Sequence, residues 1–200
     1  MLLLIIIASF FHTVPPGSEH ARRQWLVSAR SKLEISGNTI INRFHCKSTN
    51  YAGSDTLTEF VDHRTGSSVL IGSVTMMISN FDCRNEMITR DFKETLKADG
   101  YPRLDIRFIE LRKTHVDNGD LHGAVEITLA GISKKYPITC VSKSAPPNEQ
   151  HLEGMRPFKF SDFGLQPPNK FFGLLKAEDN VSVIFHLRLT SVIAENSDND

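Results

Sequence analysis

Apolar and polar residues alternate along most of this chain. Leu121, Val125, Ile127 and Leu129 share one phase with Gly123, while His122, Glu126 and Thr128 take the other. Val181, Val183, Phe185, Leu187 and Leu189 alternate with Ser182, His186, Arg188 and Thr190, which makes the clearest strand in the sequence. Leu104, Ile106 and Phe108 alternate with Asp105 and Arg107, and Phe44 and Cys46 with Arg43, His45 and Lys47. A period of two puts apolar side chains on one face of a strand, so each segment predicts a strand with one buried face. In "VLIGSVTMMI" both phases are partly apolar, with Leu70, Val74, Met76 and Ile78 the more continuous one. "AGISKK" after Leu129 reads as a turn; Tyr136, Ile138 and Cys140 then resume a single phase, so this pair predicts a hairpin.

One segment changes period. Met87, Ile88, Phe92 and Leu96 fall near 3.6-residue spacing and predict a helix around Asn85 to Ala98, stopped by Gly100. Pro102 reinforces the stop and begins the next strand. Asp82 or Asn85 is placed to cap this helix, and Glu86 suits the positive end of its dipole. Many antiparallel-looking strands and one helix predict an all-β fold, a closed or nearly closed barrel. Closure removes the edges such strands would otherwise expose.

Composition narrows the function. With 200 residues the chain has room for one domain with a real core. Lys plus Arg and Asp plus Glu are both 23, so no basic field is present to drive general nucleic-acid binding. "MLLLIIIASFF" is an apolar run of about ten residues, too short to cross a bilayer but the length of a signal-peptide core. It lacks a basic flank and a clean A-x-A site, so cleavage is placed only between Ser9 and Ala21. The competing reading is a buried N-terminal strand; "HTVPPGSEH" reads as a linker and favours the signal. The expectation is an exported protein, periplasmic or secreted. Residues 1–20 are its signal peptide and linker, 21–193 its barrel domain, and 194–200, "AENSDND", an acidic flexible tail.

Several segments also occur in a familiar order. "SKLEISGNTIINRFHC" is followed by "NFDCRNEMITRDFKETLKADGYPRLDIRF", "GDLHGAVEITLAGISKKYPI", "FKFSDFGLQPP" and "DNVSVIFHL". The most specific pieces are Arg90-Asp91, Tyr101-Pro102, Gly131 with Lys134, and Ser161-Asp162-Phe163-Gly164. Together, from Trp25 to Val192, they resemble the YceI-like family of exported, lipocalin-like proteins. The resemblance implies an eight-stranded antiparallel barrel, with one short helix inserted after the middle strands, that holds a long apolar chain. The implied partners are an isoprenoid, a quinone or a fatty-acid-like lipid, with a homodimer as a further expectation. No catalytic activity and no cofactor are implied.

Three cysteines, Cys46, Cys83 and Cys140, permit three pairings. Cys46 ends one predicted strand and Cys83 follows another, which favours a Cys46–Cys83 disulfide in an oxidising compartment over a free buried Cys83 thiol. Cys140 falls in an apolar phase and reads as a core thiol. Arg90 and Asp91 orient the helix on the barrel; the other role open to Arg90 is to meet an acidic lipid headgroup. The candidate lining is Phe44, Met76, Ile78, Leu104, Ile106, Phe108, Val125, Ile127, Phe158, Phe160, Val183 and Phe185. Each alone is ordinary core; the ligand reading belongs to the set and to the resemblance. The alternative is a filled barrel, a structural or protein-interaction module of the cell envelope.

Chemistry is not expected. The 8 histidines are scattered, with no H-x-H or H-E-x-x-H, and no C-x-x-C is present, so no metal site is predicted. G-x-S-x-G and P-loop patterns are absent. "SDFGLQPP" contains D-F-G without the other kinase elements.

Overall fold

The computed structural model describes residues 22–40, 42–113, 120–144, 146, 148–170 and 175–192. The expected leader and acidic tail lie outside them. The strands are β1 (Arg23–Val27), β2 (Lys32–Thr39), β3 (Arg43–Ser48), β4 (Thr56–Asp62), β5 (Ser67–Met77) and β6 (Phe81–Asp82). After the helix α1 (Glu86–Thr95) come β7 (Arg103–Lys113), β8 (Asp120–Leu129), β9 (Ile132–Ser144), β10 (Glu149–Lys159), β11 (Asn169–Lys170) and β12 (Leu175–Val192).

Eight strands form an antiparallel ring, β1-β4-β5-β7-β8-β9-β10-β12, which closes because β12 pairs with β1. This is the eight-stranded all-β architecture with a single α-helix that the sequence implies. The 18-residue β12 serves two neighbours on one side. Its end, Leu189–Val192, pairs with β1, and its earlier part, Ala177–His186, pairs with β2. The corner between β1 and β2 is fastened to β12, since Ser28 N–H donates to the Arg188 carbonyl (2.8 Å) and Arg188 N–H to Ser31 Oγ (3.0 Å). The β2-β3-β6 wing therefore departs from the ring at one end, and α1 packs beside β6 there.

Alternation explains the walls. Val27, Leu57, Val74, Leu111, Leu152 and Leu189 point inward and are fully buried. Two bulges reset the phase, between Leu70 and Gly72 in β5 and between Phe108 and Glu110 in β7. The second lets Phe108 and Leu111 both face the core although they are three apart. It also presses Gly123 so close that a Cβ would fall 1.8 Å from the Glu110 carbonyl oxygen. Bulges of this kind bend and twist strands, which ring closure needs.

The observed turns are tighter than expected. The hairpin after Leu129 turns on Ala130 and Gly131 alone, with φ of 50° and 78°, and Ile132 to Lys135 already belong to β9. Two consecutive left-handed residues suit the right-handed twist of the flanking strands, so the ladder needs no longer loop. The helix stops at Thr95, before Gly100, with the left-handed backbone at Lys97, φ 55°.

One stretch of the wall is unpaired. β9 and β10 pair from Ser144–Gln150 to Cys140–Gly154 and stop. Continued in that register, Pro137 would face Pro157. Neither has an N–H, so the pair cannot exchange ladder hydrogen bonds. The short 3₁₀ turn Phe160–Phe163 follows β10 and spans this seam, where Tyr136 Oη donates to Asp162 Oδ2 (3.1 Å).

Candidate functional site

Helix α1 is fixed over the split end of the ring. Asn85 caps it, Oδ1 accepting from Ile88 N–H at 3.0 Å. Cys83, two residues earlier, is bonded to Cys46 on β3, and its N–H donates to Thr89 Oγ1 (3.0 Å). Lys93 Nζ donates to the Ser79 carbonyl (2.6 Å). Phe92 is buried, its ring centroid 5.6 Å from that of Phe81 and 6.4 Å from that of Phe44. The "FDCRNEMITRDF" stretch is thus a bridged and capped helix start.

Between α1 and the wing lies an apolar cleft of about 240 Å³, with Phe44, Met87, Ile88, Phe92, Phe160 and Ala177 in its walls. This accounts for Met87 and Ile88, which the helical period assigns to the buried face but which stay 42% and 37% exposed. The rim is polar: Thr39, Asn42, Arg43 and Asp91. Phe92 and Phe160 also bound a second cavity of about 50 Å³, reaching Leu104, Ile106, Ile127, Phe158 and Val183. A third, about 30 Å³, shares Ile106, Ile127, Phe158 and Val183 and adds Met76, Phe108, Val125 and Phe185. These cavities follow one another from the cleft into the lumen. Eleven of the twelve expected lining residues border them. Ile78 is fully buried but borders none of the three.

Arg90 lies on the other face of α1. Its side chain is 65% exposed, with Nε 3.9 Å from both Asp91 and Glu94, over an open groove shared with Asp82, Arg84, Glu86 and Lys93. Arg43 is the cation on the cleft rim; its Nε donates to Asn38 Oδ1 (3.1 Å).

A second cation lies deeper. Arg156 lines the innermost cavity, with Cζ 5.8 Å from the centre of the Tyr136 ring. Its Nε is buried and has no hydrogen-bond partner. Burial and the bond to Asp162 push the Tyr136 hydroxyl up to about 12.

Several other ionisable groups form surface pairs. His45 Nε2 is 3.2 Å and Lys47 Nζ 2.8 Å from Glu34, and the lysine bond holds the Glu34 carboxyl below its ordinary range. His186 Nδ1 is 3.6 Å from Glu153. Among the described residues no group of three or more His, Cys, Asp or Glu is arranged to hold a metal. Cys140 is a free buried thiol, pushed up to about 12 chiefly by desolvation.

No family model matches this chain, and no curated protein matches it. Solved structures do. BcnA from Burkholderia cenocepacia is 15% identical, with a TM-score of 0.61 over 81% of this chain and 98% of its own. A polyisoprenoid binding domain from Saccharophagus degradans, implicated in plant cell wall breakdown, is 11% identical, with a TM-score of 0.56 over 84% of this chain and 98% of its own. The chain shares the fold of these proteins.

Proposed function

We propose that this protein is an exported lipid-binding protein that holds an isoprenoid-like or other long apolar chain for carriage or sequestration. The observation that carries the reading is the run of apolar cavities leading from the cleft beneath α1 into the ring. Burying a chain there gains about 0.8 kcal/mol per CH₂ before costs. The Saccharophagus degradans domain, which has the same fold, is a polyisoprenoid-binding one. Export is supported by the Cys46–Cys83 bond, since disulfides persist in oxidising compartments, and by the leader-like run at the start of the chain.

The inner cavities, about 50 and 30 Å³, are each on the scale of one or two water molecules at roughly 30 Å³ apiece. A chain that passes the cleft therefore has to displace side chains, Phe92 and Phe160 first. The same tightness favours a second reading, a filled barrel that acts through its surface. Mass spectrometry of an organic extract from natively purified protein separates the two. The carrier reading expects a stoichiometric lipid, and uptake of added quinone or fatty acid after delipidation. Repeated absence of both leaves the filled-barrel module.

A further inference from the structure

Resting on the lipid-binding reading, we propose that Arg156 selects the ligand: the occupant is a long-chain carboxylate whose head meets this guanidinium at the β9–β10 seam. Leu152, Gly154, Arg156 and Phe158 follow one phase of β10, and that phase faces the lumen. Arg156 is thereby the charged residue in the wall of the innermost cavity. Its side chain shares that wall with Met76, Ile106, Phe108, Val125 and Phe185.

Arg156 is partly buried, and a guanidinium N–H cut off from water, as its Nε–H is, normally has an anionic or hydrogen-bonding partner. Arg156 forms no ion pair among the described residues, and its buried Nε–H is unsatisfied. Beside it lies the face of Tyr136, which attracts a cation but accepts no strong hydrogen bond. The nearby carboxylate, Asp162, is engaged by the Tyr136 hydroxyl (3.1 Å) and the Lys159 N–H (3.2 Å). A ligand carboxylate would supply the missing acceptor, and a guanidinium can take it with two parallel bonds. The chain would then run along the apolar cavities toward Phe92 and the cleft under α1. An uncharged isoprenoid or alcohol would fill the same cavities but leave the Arg156 charge without an anion.

The test uses delipidated full-length protein with its disulfide intact, at pH 8, titrated with palmitic acid, its methyl ester and the alcohol of equal chain length. The wild type is expected to bind the acid at least about tenfold more tightly than the ester or the alcohol, the scale of one hydrogen bond to a charged group. Arg156→Met should bring the acid-to-alcohol ratio close to one. The titration midpoint of ¹³C-carboxyl-labelled palmitate bound to the wild type should lie below that of the free acid. Should Arg156→Met not fold, the acid, ester and alcohol ratios on the wild type and that midpoint still decide. Equal affinity for acid and alcohol on the wild type, or a ratio that survives Arg156→Met, overturns the selection by Arg156 while leaving lipid binding intact. Failure to bind any of the three ligands overturns the carboxylate proposal, and lipid binding itself is then decided by the organic extract.

Discussion

The ring of Tyr101 lies over Gly131, where a Cβ on the glycine would meet Tyr101 Cε1 at 2.7 Å. The contact joins the β8–β9 turn to the segment that leads from α1 into β7. Gly131 also has φ of 78°, which side-chain-bearing residues rarely adopt. Two costs therefore meet at one position. Gly131→Ala should destabilise the domain by about 1–3 kcal/mol in urea unfolding. Tyr101→Ala in the same background should recover the steric part and leave the backbone part, about 1 kcal/mol. Full additivity of the two substitutions would mean the ring does not press on the turn.

The Cys46–Cys83 bond closes a loop with a sequence separation of 37 and ties α1 to the wing. Cys46→Ser should cost about 2–4 kcal/mol, chiefly by freeing the unfolded chain. Thiol counting on denatured, non-reduced protein should give one free thiol per chain, from Cys140. A count of three would show that the bond does not form.

Cys140 supplies a pH signature. Burial raises its thiol from 9.0 to about 12, so the folded state holds this proton more tightly than the unfolded state. Its contribution is complete below about pH 9 and is lost as pH rises toward 12, because the unfolded thiol ionises first. Stability should fall over that window with a contribution of up to about 1.4 kcal/mol per pH unit from this group. Cys140→Ala should flatten the slope between pH 9 and 10, before the tyrosines ordinarily ionise. An unchanged slope would mean that the thiol is hydrated in the folded protein.

Much of the ring was legible in the sequence because a one-sided wall imposes a period of two on each strand. The Val181–Leu189 phase and a cap at Asp82 or Asn85 follow from local rules, and the placement of both cysteines at strand ends favours the Cys46–Cys83 pairing; the structure has the phase, the cap at Asn85 and the bond. Features set by distant backbone were not legible. The bulge at Phe108–Glu110 depends on Gly123 lying against the opposite strand, and the seam begins where the β9–β10 ladder ends at Cys140–Gly154, in a register that would set Pro137 against Pro157, 20 residues away in the chain. The lining residues were found by their apolarity, which is why Arg156 was passed over. Its position could have been read from the phase it shares with Leu152 and Phe158. Arg90 attracted attention through its motif, yet helical rotation sets it on the face of α1 opposite Phe92 and the cleft.

Phe92 stands between the cleft and the lumen, so truncating it should have two effects. Phe92→Ala should cost about 3–5 kcal/mol, the range for a buried aromatic. It should also merge the first two cavities and speed uptake of a fluorescent fatty acid by delipidated protein. Measuring uptake well below the unfolding midpoint keeps the effects apart. Unchanged uptake kinetics in a folded variant would place the route elsewhere, with the β9–β10 seam the next candidate.

The seam itself is testable through its prolines. Pairing ends at Cys140–Gly154, and three steps further the same register would bring Pro137 opposite Pro157. Restoring an N–H at both positions with Pro137→Val and Pro157→Thr allows the ladder to continue. Each new backbone hydrogen bond is worth about 0.5–1.5 kcal/mol. Removing each proline frees the unfolded chain by about 0.4–1 kcal/mol. These terms nearly cancel, so global stability is a poor readout. Amide hydrogen exchange is a better one, because it reports local opening. In the double variant the amides of residues 137 and 157, and those flanking them, should be protected to the level of the Gln150–Gly154 ladder. Exchange at solvent rates there would mean that something other than the missing donors holds the strands apart; the Tyr136, Arg156 and Phe158 side chains, packed along the same gap, would then be the group to truncate.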